Sequence, residues 1–108
     1  MKAIVLGCGL VGELIARDLA KDDNFQVMVA DIDEKKLDKL TKKAGIPGIK
    51  ADLSNSGEIK KVISDQGIVI GAVPGFLGFN MLRSVIEAGK NVVDISFMAE
   101  DTLSLDEL

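Results

Sequence analysis

Three glycines constrain this chain more than any other feature, because Gly7, Gly9 and Gly12 stand at G-x-G-x-x-G spacing between two different apolar patterns. Before them, Ala3 to Leu6 is a continuous apolar run with the length and β-branched content of a buried strand. After them, apolar residues recur at helical spacing. The glycines therefore lie where a strand is predicted to turn into a helix.

Each glycine has a separate predicted role at such a turn. Gly7 permits a tight turn, Gly9 lets a pyrophosphate approach the backbone, and Gly12 lets the helix pack closely on the strand. The unpaired N–H groups and the positive dipole end of the helix favour that anion. The motif predicts dinucleotide binding, and the alternative is a strand–helix turn that binds nothing. The binding residues predicted in this loop are Gly7, Cys8, Gly9, Leu10, Val11 and Gly12.

An acidic residue follows at the distance that this motif requires. Asp31 lies 19 residues beyond Gly12, at the end of a second apolar run. A carboxylate there can accept both hydroxyls of an adenosine ribose and would repel a 2′-phosphate. The next residue is Ile32, where an arginine would hold such a phosphate, so the sequence favours NAD, with NADP as the alternative. Asp31 and Glu34 also have capping-box spacing, which makes Asp31 a candidate N-cap.

The rest of the chain alternates apolar runs with helical patterns. Strands are predicted near residues 25–30, 48–51, 68–70 and 91–95, and helices near 33–44, 55–63 and 77–88. This alternation predicts an α/β fold with a parallel sheet covered on both faces. Right-handed crossovers then give a Rossmann-like, doubly wound sheet in three layers, with strand order 3-2-1-4-5. We expect residues 1–108 to be one domain, truncated before a sixth strand.

Ligands of such sheets bind at the carboxyl ends of the strands, where the strand order reverses. Residues that follow strands three to five therefore join the predicted binding site. Asp52 and Leu53 are placed beside the adenine, Ala72, Val73 and Pro74 near the second ribose, and Asp94 and Ser96 near the nicotinamide. The alternatives are a solvated loop for Asp52, a helix start for Pro74, and an inter-strand or capping contact for Asp94.

Composition narrows the classes of function. The net charge is −4 and the chain has neither Trp nor Tyr, which argues against nucleic acid or an anionic membrane as a partner. No apolar stretch is long enough to cross a bilayer, and the N-terminus has no signal-peptide pattern, so we expect a cytoplasmic protein. There is no histidine, and Cys8 is the only cysteine, so neither metal binding nor a catalytic residue is predicted, and Cys8 is interpreted as a spacer.

The chain resembles the N-terminal NAD(P)-binding domain of the saccharopine dehydrogenase family, including its lysine 6-dehydrogenase-like members. The resemblance lies in residues 7–12, 29–33, 51–53, 72–80 and 92–101, of which the last two segments are the more distinctive. It implies that the full-length parent oxidises or forms amines of amino acids. It also implies that a second domain supplies the substrate pocket and the catalytic residues, so that this fragment alone is inactive. A homodimer of the full-length parent stays open.

Two other functions are compatible with the same residues. A non-catalytic NAD sensor, like the regulatory domains of potassium-uptake systems, shares the glycine motif and the acidic residues after strands two and three. The segment after strand four, however, does not resemble theirs. The third function is a domain of this fold that binds no nucleotide.

Overall fold

The computed structural model of the chain describes residues 1–73 and 75–94. Five strands alternate with four helices in this part of the chain. The elements are β1 (Lys2–Leu6), α1 (Leu10–Ala20), β2 (Gln26–Asp31), α2 (Glu34–Ala44), β3 (Gly48–Lys50), α3 (Ser56–Ile63), β4 (Ile68–Gly71), α4 (Gly75–Glu87) and β5 (Asn91–Asp94). Every predicted element within the described residues is present. The predicted end of the fifth strand at Ile95 lies outside them.

The strands form one parallel sheet in the order β3-β2-β1-β4-β5, which confirms the predicted topology. Leu6 at the end of β1 lies opposite Ala30 of β2 on one side and opposite Gly71 of β4 on the other. The chain passes outwards from β1 to β3, returns to β4 beside β1, and then continues the other way. The strand order therefore reverses at β1, and the loop that follows β1 lies at the reversal.

Two apolar clusters cover the two faces of the sheet, because successive residues of each strand point to opposite faces. On one face Ala3 and Val5 of β1 pack with Leu37 and Leu40 of α2. On the other face Ile4 and Leu6 pack with side chains of α3 and α4, among them Ile59, Ile63, Met81 and Val85. The structure therefore has the three layers predicted from the sequence, with α1 and α2 on one side of the sheet and α3 and α4 on the other.

Helix α1 is turned so that its smallest residues face the sheet. Gly12 and Ala16 are buried, whereas Val11 is 45% exposed and Leu14 is 57% exposed. Ile15 and Leu19, at the same helical spacing, are partly buried and pack against the core. The apolar spacing along α1 therefore predicts the helix and part of its buried face, and only glycine and alanine are fully buried in it.

The N-cap of α2 is Asp33, and the candidate role of Asp31 as N-cap is wrong. The Asp33 carboxylate accepts hydrogen bonds from the backbone N–H groups of Lys35 and Lys36, at 3.0 and 3.3 Å. Asp31 still belongs to β2, where it lies opposite Lys50 of β3. Pairing with a distant strand extends β2 by one residue beyond its apolar run, and this moves the start of α2.

Removal of the α2 cap is expected to destabilise the fold moderately. Asp33→Ala leaves two N–H groups of the first turn without their acceptor, and loss of such a cap typically lowers the free energy of unfolding by about 1 kcal/mol. Urea denaturation of both proteins measures the difference. Asp38→Ala removes the same charge from an exposed position of α2 and should change the free energy of unfolding by less than about 0.5 kcal/mol. Equal losses in the two variants would contradict the capping role.

Helix α4 differs from the expected pattern at two positions. Met81, Leu82, Val85 and Ile86 recur at helical spacing, which predicts that all four face the core, but Ile86 is 60% exposed and Ser84 is buried. The Ser84 hydroxyl donates to the Asn80 carbonyl oxygen at 2.8 Å and lies 2.9 Å from the Ser56 hydroxyl of α3. A buried polar contact therefore joins α3 to α4 within the apolar layer. Among the described helices, none is both long enough and apolar enough to cross a membrane.

Candidate dinucleotide-binding site

The loop after β1 makes the tight turn that the sequence predicts at Gly7. The φ angle of Gly7 is +111°, in the region that residues with a side chain rarely adopt. Its N–H donates to the Ala30 carbonyl oxygen at 2.8 Å, which keeps the turn against β2. A Cβ atom on Gly7 would lie 2.6 Å from the Ala72 carbonyl oxygen. Both the backbone angle and the space available therefore require glycine.

Gly12 provides the close approach of α1 to the turn. A Cβ atom at this position would overlap the carbonyl oxygen of Gly7, and its next neighbour would be the Gly7 carbonyl carbon. The close packing predicted at Gly12 is therefore confirmed, although the partner is the turn itself more than the body of β1. The turn and the first turn of α1 form one compact unit.

The N-terminus of α1 is open, in contrast to those of α2 and α3. Gly9 stands at the N-cap position and has no side chain to accept a hydrogen bond, whereas Asp33 and Asn55 cap the other two helices. By helix geometry, the first N–H groups of α1 have no acceptor within the helix. A Cβ atom on Gly9 would have no neighbour within 4 Å. The backbone at this terminus therefore has donors and free space for a phosphate group, as the fingerprint requires.

Asp31 is held at the edge of this turn by two backbone N–H groups. Its Oδ2 accepts from the N–H of Cys8 at 2.6 Å, and its Oδ1 accepts from the N–H of Asp33 at 2.8 Å. A carboxylate oxygen has two acceptor positions, so one position on each oxygen remains for a further donor. Asp31 is only partly buried. Its orientation is thus fixed, and it can still accept hydrogen bonds from two hydroxyl groups.

Cys8 contributes its backbone to the site and its side chain to the core. The side chain is 5% exposed and packs among apolar residues beneath α1 and α2. Burial raises the pKa of the Cys8 thiol, and the nearby Asp31 carboxylate raises it further. A higher pKa leaves less of the reactive thiolate at neutral pH. These features support the interpretation of Cys8 as a spacer.

After β3, the structure separates two neighbouring residues that the sequence predicted to act together. The Asp52 carboxylate accepts from the Ser54 hydroxyl and from the Ser54 N–H, at 2.5 and 2.9 Å, and these bonds lower its pKa. Asp52 therefore presents a charged group at the carboxyl edge. Leu53 is only 6% exposed and packs in the core with Ile59 of α3. The Leu53 side chain therefore lies inside, and only its backbone is available beside an adenine, which stays a prediction.

The remaining predicted residues are distributed around the same edge. Leu10 and Ile32 are exposed beside the turn, at 75% and 57%. The Ala72 N–H donates to the Leu6 carbonyl oxygen at 2.8 Å, so the start of the loop after β4 lies next to the turn. Val73 is buried in the core, so only its backbone is available to a ligand. Asp94 ends β5 opposite Gly71. Pro74 and Ser96 lie outside the described residues.

One charged pair beside Asp31 was not predicted from the sequence. Lys50 ends β3 directly opposite Asp31, and its ammonium group lies 3.8 Å from the Glu34 carboxylate at the start of α2. Glu34 stood out in the sequence only for its capping-box spacing. Lys50 had no local signal at all, because its nearness to Asp31 depends on the pairing of β2 with β3.

Together, the doubly wound sheet, the open helix terminus and the fixed carboxylate define a dinucleotide-binding domain. The family model described as the saccharopine dehydrogenase NADP binding domain matches residues 3–108, so this chain belongs to that family. The predicted resemblance is therefore confirmed, and so is a nicotinamide dinucleotide as the cofactor.

One curated relative and three solved structures illustrate the match. The chain is 28% identical over 96 residues to saccharopine dehydrogenase [NADP(+), L-glutamate-forming] of Saccharomyces cerevisiae, which covers 89% of the chain and 22% of that enzyme. The structure of the apo yeast saccharopine dehydrogenase (L-Glu forming) superposes with a TM-score of 0.78 at 28% identity, over 86% of this chain and 21% of that one. This chain thus spans about a fifth of the length of its yeast relative.

More distant structures share the fold. The scyllo-inositol dehydrogenase of Lactobacillus casei, solved with NAD(H), has a TM-score of 0.72 at 21% identity, over 87% of this chain and 27% of that one. A short-chain dehydrogenase/reductase of Veillonella parvula, solved with NADP, has a TM-score of 0.68 at 11% identity, over 86% and 46% of the two chains. At these identities the likeness concerns the fold alone.

Proposed function

We propose that this chain is the cofactor-binding domain of an NAD-dependent oxidoreductase that acts on the amine of an amino acid. Membership of the saccharopine dehydrogenase NADP binding domain family and the match to the yeast enzyme support this function. The observation that carries it is the position of Asp31. Two backbone N–H groups fix its carboxylate beside an uncapped helix terminus, where ribose hydroxyls and a pyrophosphate can be bound together.

In this proposal different residues of the site bind different parts of the dinucleotide. The N–H groups at the start of α1 bind the pyrophosphate, and Asp31 accepts the hydroxyls of the adenosine ribose. Leu10, Val11 and Ile32 are proposed to contact the dinucleotide around the turn, and Asp52 with the backbone of Leu53 on the adenine side. Ala72, Val73 and Pro74 are proposed to lie at the second ribose, and Asp94 and Ser96 towards the nicotinamide.

The chain's own part in the reaction is to bind and to orient. When bound, the nicotinamide ring supplies the hydride chemistry. The fixed Asp31 and the α1 terminus hold the adenosine half, so that the other half extends along the carboxyl edge of β4 and β5. No residue of this chain is proposed to be catalytic. We expect the amino-acid pocket and the catalytic groups in a further domain of the parent enzyme, and no turnover by this chain alone. A homodimeric parent and a cytoplasmic location stay predictions.

The charges around Asp31 support NAD over NADP. A 2′-phosphate is dianionic near neutral pH, and the Asp31 carboxylate would lie beside it. Asp33, which caps α2, adds a second carboxylate two positions along the chain, whereas Glu34 is paired with Lys50. The family description names NADP. The preference for NAD that we propose therefore rests on the residues of this chain and not on the family.

Calorimetric titration of the chain with NADH, and separately with NADPH, tests the proposal. We expect NADH to bind more tightly than NADPH. Asp31→Asn keeps the shape of the side chain, removes its charge and leaves one of the two backbone N–H groups without an accepting oxygen. It should weaken NADH binding at least about tenfold, the equivalent of one charge-assisted hydrogen bond. Asp38→Asn removes the same charge from an exposed position of α2 and should leave the NADH affinity unchanged.

Several results would oppose the proposal. Tighter binding of NADPH than of NADH would contradict the preference for NAD. Equal NADH affinities of the Asp31 and Asp38 variants would remove Asp31 from the site. Turnover of lysine or saccharopine by this chain alone would place catalysis here. The match to a dehydrogenase family supports the enzymatic function over the non-catalytic sensor.

A further inference from the structure

We propose that Lys50 and Glu34 form a second determinant of cofactor choice, in which Glu34 holds the Lys50 ammonium group beside Asp31. In this arrangement the domain already contains the cation that a 2′-phosphate needs, and Asp31 is what prevents its use. The inference rests on the proposed function, because it assumes that Asp31 faces the adenosine ribose.

The geometry begins with the register of the sheet. Lys50 is the Cα partner of Asp31 across the β2–β3 pair, and the N–H of Ala51 donates to the Asp31 carbonyl oxygen at 3.0 Å. Opposite residues of neighbouring strands extend to the same face of a sheet. Here that face is the one covered by α2, whose first turn carries Glu34. The side chains of Asp31, Lys50 and Glu34 therefore converge at one corner of the carboxyl edge.

The Lys50–Glu34 ion pair at this corner is weak, so Lys50 can readily exchange Glu34 for another anion. The Lys50 and Glu34 side chains are 57% and 66% exposed, and their charged atoms are 3.8 Å apart. Pairs of this kind contribute little free energy, because water screens them and two long side chains lose freedom. The Lys50 ammonium can thus leave Glu34 for a stronger anion. A dianionic phosphate on the ribose hydroxyl beside Asp31 is such an anion, and lysine binds phosphate as a mobile point charge.

This arrangement gives the 2′-phosphate two opposing neighbours. The Asp31 carboxylate repels it from a fixed position, whereas the Lys50 ammonium attracts it from a mobile one. In the native chain the fixed carboxylate is the stronger influence, and Lys50 stays with Glu34. Once the charge of Asp31 is removed, Lys50 is expected to bind the phosphate, and removal of Glu34 should strengthen that contact.

The test is a titration series with NADPH on variants of Asp31. Asp31→Asn should raise the NADPH affinity about fivefold, in the range of one charge pair at a solvated surface. Addition of Lys50→Met should abolish this gain, and addition of Glu34→Gln should increase it further. Lys39→Met in the Asp31→Asn background is the control, because it removes a lysine from an exposed position of α2 and should leave the gain intact. NADH, which lacks the phosphate, should not respond to Lys50→Met.

Ionic strength supplies a second readout. The part of the NADPH affinity that depends on Lys50 should decline between 0.05 and 0.5 M salt, since salt screens an exposed charge pair. Circular dichroism of each variant checks that it is folded. If Lys50→Met leaves the NADPH affinity of Asp31→Asn unchanged, or if Asp31→Asn brings no gain, this inference is wrong while NADH binding by the native chain still supports the proposed function. If the native chain does not bind NADH, both are wrong.

Discussion

Gly12→Ala is expected to lower the free energy of unfolding by about 3 kcal/mol, at the upper end of what overpacking costs. The added Cβ atom would overlap the Gly7 carbonyl oxygen, and Gly7 is held in place by the hydrogen bond from its N–H to the Ala30 carbonyl oxygen. The direction of this change in the free energy of unfolding is informative, because in an exposed helix a glycine-to-alanine substitution stabilises the fold by up to about 1 kcal/mol. Urea denaturation of the two proteins gives the difference.

A matched substitution at Gly57 of α3 controls for the intrinsic helix preference of alanine. There the nearest atom to a new Cβ is the Oδ1 of Asn55 at 3.3 Å, so this capping side chain needs to give way by only a few tenths of an ångström. Gly57→Ala should therefore change the free energy of unfolding by less than about 0.5 kcal/mol in either direction. A Gly12→Ala variant as stable as the native chain would refute the close packing described for α1.

Gly9→Ala, in contrast to Gly12→Ala, is expected to leave the free energy of unfolding unchanged and to weaken dinucleotide binding strongly. Nothing lies within 4 Å of a Cβ at Gly9, and its φ of −78° suits any residue. The methyl group would instead occupy the space over the α1 terminus, where the pyrophosphate is proposed to accept N–H bonds. Loss of one or two hydrogen bonds to a charged group should weaken NADH binding about 100-fold, which calorimetric titration can measure.

The stability of the Gly9 variant decides how that result is understood. A free energy of unfolding within about 0.5 kcal/mol of the native value would show that only binding was affected. Native NADH affinity in a folded Gly9→Ala chain would mean that the pyrophosphate does not lie over this terminus. Used together, the two glycine substitutions separate the structural role of the motif from its binding role.

The sequence was sufficient to predict the topology, because alternating apolar runs and a glycine turn after β1 leave few ways to wind a parallel sheet. It predicted only part of the side of α1 that faces the sheet. Ile15 and Leu19 pack against the core, but Val11 and Leu14 are exposed, and Gly12 and Ala16 are buried. Periodicity identifies a helix, but the distance between helix and sheet decides which side chains fit between them.

The site shows the same limit for residues whose roles depend on pairing between strands. The glycines and Asp31 were recognisable from their spacing alone. The N-cap of α2, however, is Asp33 and not the candidate Asp31, because β2 continues through Asp31 in its pairing with β3. The position of Lys50 depends on that same pairing. Asp52 and Leu53, adjacent in sequence, differ in burial because one faces solvent and the other faces α3.

The hydrogen bond from the Cys8 N–H to the Asp31 carboxylate has a consequence for the thermodynamics of association. It joins the glycine turn to the end of β2 in the folded chain without any ligand, so both parts of the dinucleotide site are ordered before an encounter. The conformational entropy of this loop is then lost during folding and not during binding. Preorganisation of this kind leaves more of the contact energy to appear as affinity. The acid proposed to select the ribose therefore also holds the proposed phosphate-binding turn in place before the dinucleotide arrives.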